Sequence, residues 1–137
     1  MTVSGSEVLV TGANRGIGQA LVEEVLRRGA KRVYAGTRQP LNHPDGRVTP
    51  LMLDITSAAQ TQVAVEKVES LDILINNAGL AVYDDLSDPA ALEQHLAVNL
   101  FGTYAVTQAF LPVLIQSQGA IVNVLSLAAV AAVPFDP

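Results

Sequence analysis

The sequence predicts a doubly wound α/β fold, a parallel β-sheet with helices on both faces. Three observations lead there. Short apolar runs alternate with helical patterns along the 137 residues. A glycine-rich turn, "TGANRGIG", joins the first apolar run to the first helical pattern. Half the residues are apolar and only 15% carry charge, as a sheet buried on both faces requires.

The elements follow in order. "EVLVTG" (Glu7 to Gly12) is a short apolar run ending in glycine, the mark of a buried strand. From Ile17 a helix places Ile17, Ala20, Leu21 and Val25 on one face. Glu23–Arg27 and Glu24–Arg28 are favourable pairs four residues apart on the other face, and Gly29 is placed to end the helix. "RVYAGT" (Arg32 to Thr37) is the second strand, and "QPLNHPDGR" reads as a surface loop. "PLMLDI" (Pro50 to Ile55) reads as the third strand, and Ser57 can cap a helix running to about Val68. "LDILINNAG" supplies a fourth strand. A long helical region from about Pro89 to Gln116 is expected to break near Pro112, before a fifth strand at Ala120 to Ser126. No internal repeat or low-complexity linker is present, so residues 1–137 read as one domain.

Composition removes several function classes. A net charge of −5 lacks the clustered cations that phosphate neutralisation needs, so no nucleic-acid partner is expected. With no cysteine there is no disulfide, thiolate nucleophile or cysteine–zinc site, and two histidines, His43 and His95, make a metal site improbable. The N-terminus has no basic region followed by an apolar stretch. "AIVNVLSLAAVAAVPF" is the best candidate for a membrane span, but it contains Asn123, Ser126 and Pro134 and falls short of roughly 20 residues. A soluble, cytoplasmic protein with no membrane partner is the expectation. Between Glu93 and Asp136 there is no Asp, Glu, Lys or Arg, so this segment is expected to be buried, either in the core or against a partner.

The turn Thr11 to Gly18 stands where doubly wound folds bind a diphosphate. Gly12 suits a turn that other residues resist, and Gly16 and Gly18 allow close approach of backbone to ligand. The helix starting near Ile17 would offer free N–H groups and a positive dipole end.

The spacing Gly-x-x-x-Gly-x-Gly, with Thr11 ahead of it, resembles the short-chain dehydrogenase/reductase family. "LDIT" (Leu53 to Thr56), "NNAG" (Asn76 to Gly79), "VNLFG" (Val98 to Gly102) and "IVNVLS" (Ile121 to Ser126) match further family segments in the right order. The resemblance covers essentially the whole chain. It implies a Rossmann-like sheet of about five strands in the order 3-2-1-4-5. It also implies a nicotinamide cofactor held by Gly12, Asn14, Arg15, Gly16, Ile17, Gly18, Arg38, Asp54, Ile55, Asn77, Ala78 and Gly79. Asp54 would meet the adenine ring, although a carboxylate at a helix start also has a structural use. Asn76 and Asn77 could equally serve the turn after a strand.

An acidic residue beyond the glycines usually binds the ribose of NAD. Here that neighbourhood reads "AGTRQP", so Arg38 is expected to meet the extra phosphate of NADP, with Arg15 adding a second cation. NADP(H) is therefore the expected cofactor, and NAD the less favoured one.

The resemblance implies an oxidoreductase acting on a carbonyl or alcohol, with Ser126 bonding the substrate oxygen. It also implies that Asn99 holds a water that orders a catalytic lysine. Asn99 is conspicuous on its own account, being a poor helix former within an apolar helix. His95, one turn earlier, reads as a structural histidine. The family's proton donor is a Tyr in a Tyr-x-x-x-Lys motif. The tyrosines here are Tyr34, Tyr83 and Tyr104 and the lysines Lys31 and Lys67, so no such motif occurs. "SLAAVAAVPFDP" reads as the loop that leads toward it. The chain is expected to be a truncated form lacking the catalytic and substrate segment, inactive alone, and self-associating through an exposed fifth strand. Two alternatives stand beside this: a non-catalytic nucleotide-binding or interaction module, and a small hydrolase using Ser126. The hydrolase lacks an evident histidine base and a Gly-x-Ser-x-Gly elbow.

Overall fold

The computed structural model describes residues 2–126 and 129–131. Five parallel strands form one sheet in the order β3-β2-β1-β4-β5, the Rossmann-like arrangement that the sequence predicts. The strands are β1 (Glu7–Thr11), β2 (Arg32–Thr37), β3 (Val48–Met52), β4 (Ile73–Asn76) and β5 (Ala120–Asn123). The helices are α1 (Gly16–Arg27), α2 (Ala58–Lys67), α3 (Pro89–Leu96) and α4 (Thr103–Ser117). A π-helical segment, Ala97–Gly102, joins the last two. The loop expected to lead onward from Ser126 falls largely outside the described residues.

The period-two alternation of strands divides the core into two layers. Val8, Val10, Val33, Ile73 and Ile75 point toward α1 and meet Val22, Val25 and Leu26. Leu9, Tyr34 and Leu74 point the other way and meet Leu71, Val106, Phe110 and Leu114. Burial of so many side chains on both faces explains why β1 and β4 read as unbroken apolar runs.

Three expectations need correction and a fourth is narrowed. The third strand begins and ends earlier than Pro50 to Ile55. Its last residues leave the sheet because Asp54 turns the chain: its amide donates to Gln60 Oε1 at 2.7 Å, and its carbonyl accepts from Ser57 N–H at 2.9 Å. Of the two ion pairs expected on α1, Arg28–Glu24 forms at 2.9 Å. Arg27 also turns to Glu24, at 2.5 Å, and Glu23 instead meets His43 at 2.6 Å. The long helix does not break at Pro112, which lies inside α4 on its exposed face, where water can serve the carbonyl that proline leaves unpaired. The irregularity lies well before it, in the π segment Ala97–Gly102 around Asn99. Finally, of the two places expected for the uncharged segment, core or partner, the core takes only a part. Val106, Phe110 and Leu114 are buried, but Leu100, Phe101, Tyr104, Leu111 and Ile115 are exposed.

By length and composition alone, the helix Pro89–Ser117 is apolar enough to cross a membrane. In this fold its buried side chains seat it against the sheet.

The two edges of the sheet differ. Leu53 N–H donates inward to Thr37 at 2.8 Å, so strand alternation turns the nitrogen of Pro50 outward, where proline has no hydrogen to offer. β5 carries neither proline nor charge, and Ile121 and Val122 are exposed.

Candidate functional site: a dinucleotide cleft

All strands run parallel, so their carboxyl ends share one rim. From β1 the chain proceeds outward to β2 and β3 on one side, then returns to β4 and β5 on the other. The loops after β1 and β4 therefore diverge at a switch point, where ligands bind in such sheets. A cleft of about 380 Å³ opens there.

Every cofactor residue expected from the sequence lines this cleft except Gly18. Thr11 organises the rim. Its buried hydroxyl accepts from the N–H groups of Asn77 at 3.0 Å and Ala78 at 2.9 Å, and so bonds the loop after β4 to the end of β1. Asn77 returns the link, its Nδ2 donating to the carbonyls of Thr11 at 3.1 Å and Gly12 at 3.2 Å. Gly12 takes φ +64°, and a Cβ there would stand 3.0 Å from Ala78 Cα. Gly16 has φ +53° with open space where a side chain would be. Gly18 acts otherwise: a Cβ on it would lie 1.9 Å from the Gly12 carbonyl oxygen, so it packs α1 against the turn instead of facing the ligand.

No side chain caps α1, whose N-cap is Arg15 in extended conformation. Gly16 and Ile17, the first residues of α1, border the cleft, so the orphan N–H groups of that helix end suit an anion. Arg15 and Arg38, both exposed, add two cations. Asp54, just past β3, lines the cleft on the same side as Arg38. Its Oδ1 accepts from the Thr56 hydroxyl at 2.7 Å and the Thr56 amide at 2.9 Å. These bonds, with the Arg38 charge assisting, hold its carboxyl below the usual range. Asp54 thus turns the chain and lines the cleft at once. The uncapped helix end, the glycines of the turn and the two exposed arginines all fit a dinucleotide's phosphates.

Asn76 faces away from this space. It is buried, and its Nδ2 donates to Thr107 Oγ1 and Asn123 Oδ1, both at 2.9 Å, tying β4 to α4 and β5. Asn99 and Ser126 do not line the cleft. Asn99 pairs with the backbone of Leu80, accepting its N–H and donating to its carbonyl, each at 2.8 Å. Its amide is spent on fixing the wall formed by Gly79 and Leu80. Ser126 lies three residues beyond β5 and is exposed. Leu53, Thr56, Leu80 and Val98 also line the cleft and were not among the expected residues. Thr56 had a signal, since a Thr two residues after an Asp favours a side-chain-bonded turn. Leu80 read only as apolar, and Val98 stood in the segment "VNLFG" without a role at the cleft.

Comparison with known proteins agrees with this geometry. Residues 6–137 match the family model described as short chain dehydrogenase. A short chain dehydrogenase, pigC, of Monascus ruber is 33% identical over 93% of this chain and 49% of its own length. The crystal structure of a short chain dehydrogenase from Burkholderia cenocepacia in complex with NADP superposes with TM-score 0.90. It is 43% identical and covers 96% of this chain and 58% of that one. One from Leptospira borgpetersenii with bound NAD+ gives TM-score 0.84 at 25% identity, covering 96% and 56%. The chain thus spans about half the length of the Monascus relative. With its fold, its glycine turn and its sequence all matching, the chain belongs to the short-chain dehydrogenase family.

Proposed function

We propose that this chain provides the NADP(H)-binding part of a short-chain oxidoreductase acting on a carbonyl or alcohol. The observation that carries the proposal is Arg38. It follows β2 at the cleft rim, where NAD-binding relatives of this architecture place a carboxylate. A guanidinium there matches a ribose phosphate, and Arg15 lies within the same cleft. The NADP complex of the Burkholderia protein supports the same reading. Bound reduced cofactor would supply the hydride. The residues of this chain bind and orient it: the α1 N-terminus at the diphosphate, Asp54 and Ile55 at the adenine side, and Asn77 to Gly79 along the opposite wall. Ser126 would bond the substrate oxygen. The 137 residues hold no Tyr-x-x-x-Lys to deliver the proton, so on their own they are expected to bind cofactor without turnover. Titration of NADPH and NADH against the wild type and Arg38→Ala tests this. Loss of NADPH affinity by about tenfold or more, with NADH unchanged, is expected; equal affinities in both proteins would overturn it. NADPH oxidation with a panel of carbonyls should show no turnover by the chain alone.

A role as a non-catalytic module has one observation in its favour, the exposed apolar stripe of Leu100, Tyr104, Leu111 and Ile115. A second copy of the chain is the partner we propose for it. The hydrolase reading gains nothing, because both histidines are engaged. His43 pairs with Glu23 and accepts from the Asp45 amide, and His95 accepts from the Val82 amide. We also propose a cytoplasmic location with neither membrane nor nucleic acid as partner; the net charge of −5 disfavours nucleic acid, and α4 is seated on the sheet.

A further inference from the structure

Beyond Gly79, the chain runs to Asp88 without regular structure. Three main-chain groups of this stretch are bonded by side chains of the helix beside it. Asn99 takes the N–H and the carbonyl of Leu80, and His95 Nε2 accepts the N–H of Val82 at 3.1 Å. His95 and Asn99, four residues apart, thus hold main-chain groups of Val82 and Leu80, two residues apart, through their side chains.

We propose that His95 is a positioning residue for the dinucleotide cleft. Through Val82 it holds the segment whose start, Gly79 and Leu80, forms one wall. This requires an imidazole that accepts at Nε2, so its proton sits on Nδ1. Asn99 alone fixes one residue and leaves the chain free to pivot about it; the second contact sets its direction. The sequence offered only a lone helical histidine, because the Val82 partner lies thirteen residues earlier in a loop without a pattern.

The effect on the cleft rests on the cofactor-binding reading; the local bond does not, and the test separates them. His95→Ala and His95→Gln are made in the full chain. Gln keeps an acceptor at the end of a side chain of similar reach, and Ala removes it. Amide hydrogen exchange at Val82 is expected to quicken about tenfold in His95→Ala and to return toward wild type in His95→Gln. The NADPH-induced melting shift should fall and recover in parallel, while the unliganded melting temperature changes little. Nitrogen chemical shifts of the wild-type imidazole should report the Nδ1–H tautomer. Unchanged exchange at Val82 in His95→Ala, no recovery with Gln, or an Nε2–H tautomer would each overturn the proposal. If NADPH shifts the melting of none of the three proteins, the cofactor reading fails and with it the link to the cleft. The exchange and tautomer data then still decide the local bond.

Discussion

Gly18→Ala offers a sharp test of how the glycine turn is built. In most helices this substitution stabilises by about 1 kcal/mol, because alanine loses less backbone entropy. Here the new Cβ would stand 1.9 Å from the Gly12 carbonyl oxygen and 2.6 Å from Asn77 Nδ2. The first of these is backbone in a turn already at positive φ, so α1 and the turn must separate by about 1 Å before the contact is tolerable. Overpacking of that kind costs about 1–3 kcal/mol. The same displacement breaks the bond from Asn77 to Gly12, worth about 1 kcal/mol. The clash outweighs the helix gain, and a net loss of about 1–3 kcal/mol is expected. Urea denaturation followed by circular dichroism measures it, and an NADPH titration should show binding weakened in parallel. A Gly18→Ala protein as stable as wild type, or more so, would refute the view that this glycine exists for the contact between α1 and the turn.

Further outcomes follow from the same geometry. Thr11→Val keeps the volume but leaves the amides of Asn77 and Ala78 without their acceptor. A loss of about 2–3 kcal/mol in denaturant unfolding is expected, together with weaker cofactor binding. Asp54 has a depressed carboxyl pKa in the folded state, so its contribution is complete above the unfolded value of about 3.9 and disappears as pH falls through the folded value. Asp54→Asn should therefore flatten the acid limb of a stability–pH curve measured by urea midpoints between about pH 2 and 6. Ile115→Lys places a charge in the exposed stripe of α4; light scattering should show a smaller particle than wild type at equal concentration, with the circular dichroism spectrum unchanged.

Much of this was legible in the sequence, and the failures have physical causes. The bounds of β2 were readable because Gly29 and the Pro-bearing loop punctuate it on both sides. β3 was misplaced because "LMLDI" stays apolar after the strand has ended. Leu53 and Ile55 remain buried in the turn around Asp54, so burial there does not mean strand. The π segment was marked by Asn99, a residue ill suited to a helix, but proline drew the expected break to Pro112 instead. Among the cleft residues, the glycines and the arginines were legible through local chemistry, whereas Asp54, Ile55 and Asn77 to Gly79 were reached only through the family resemblance. The link from Thr11 to Asn77 spans more than sixty residues and has no periodic signature. Only the folded arrangement of β1 beside β4 shows it.

The unlike flanks of the sheet have a geometric consequence. Proline takes an outward donor from the β3 side, and β5 carries no proline, so a strand that enlarges this sheet is favoured beyond β5. When the addition comes from an identical molecule through a two-fold axis, the axis reverses strand direction, and the two β5 strands meet antiparallel. The carboxyl ends of the strands then lie on opposite rims of the continuous sheet. Two nucleotides held by such a pair would face away from each other, and each would be bound independently of its twin.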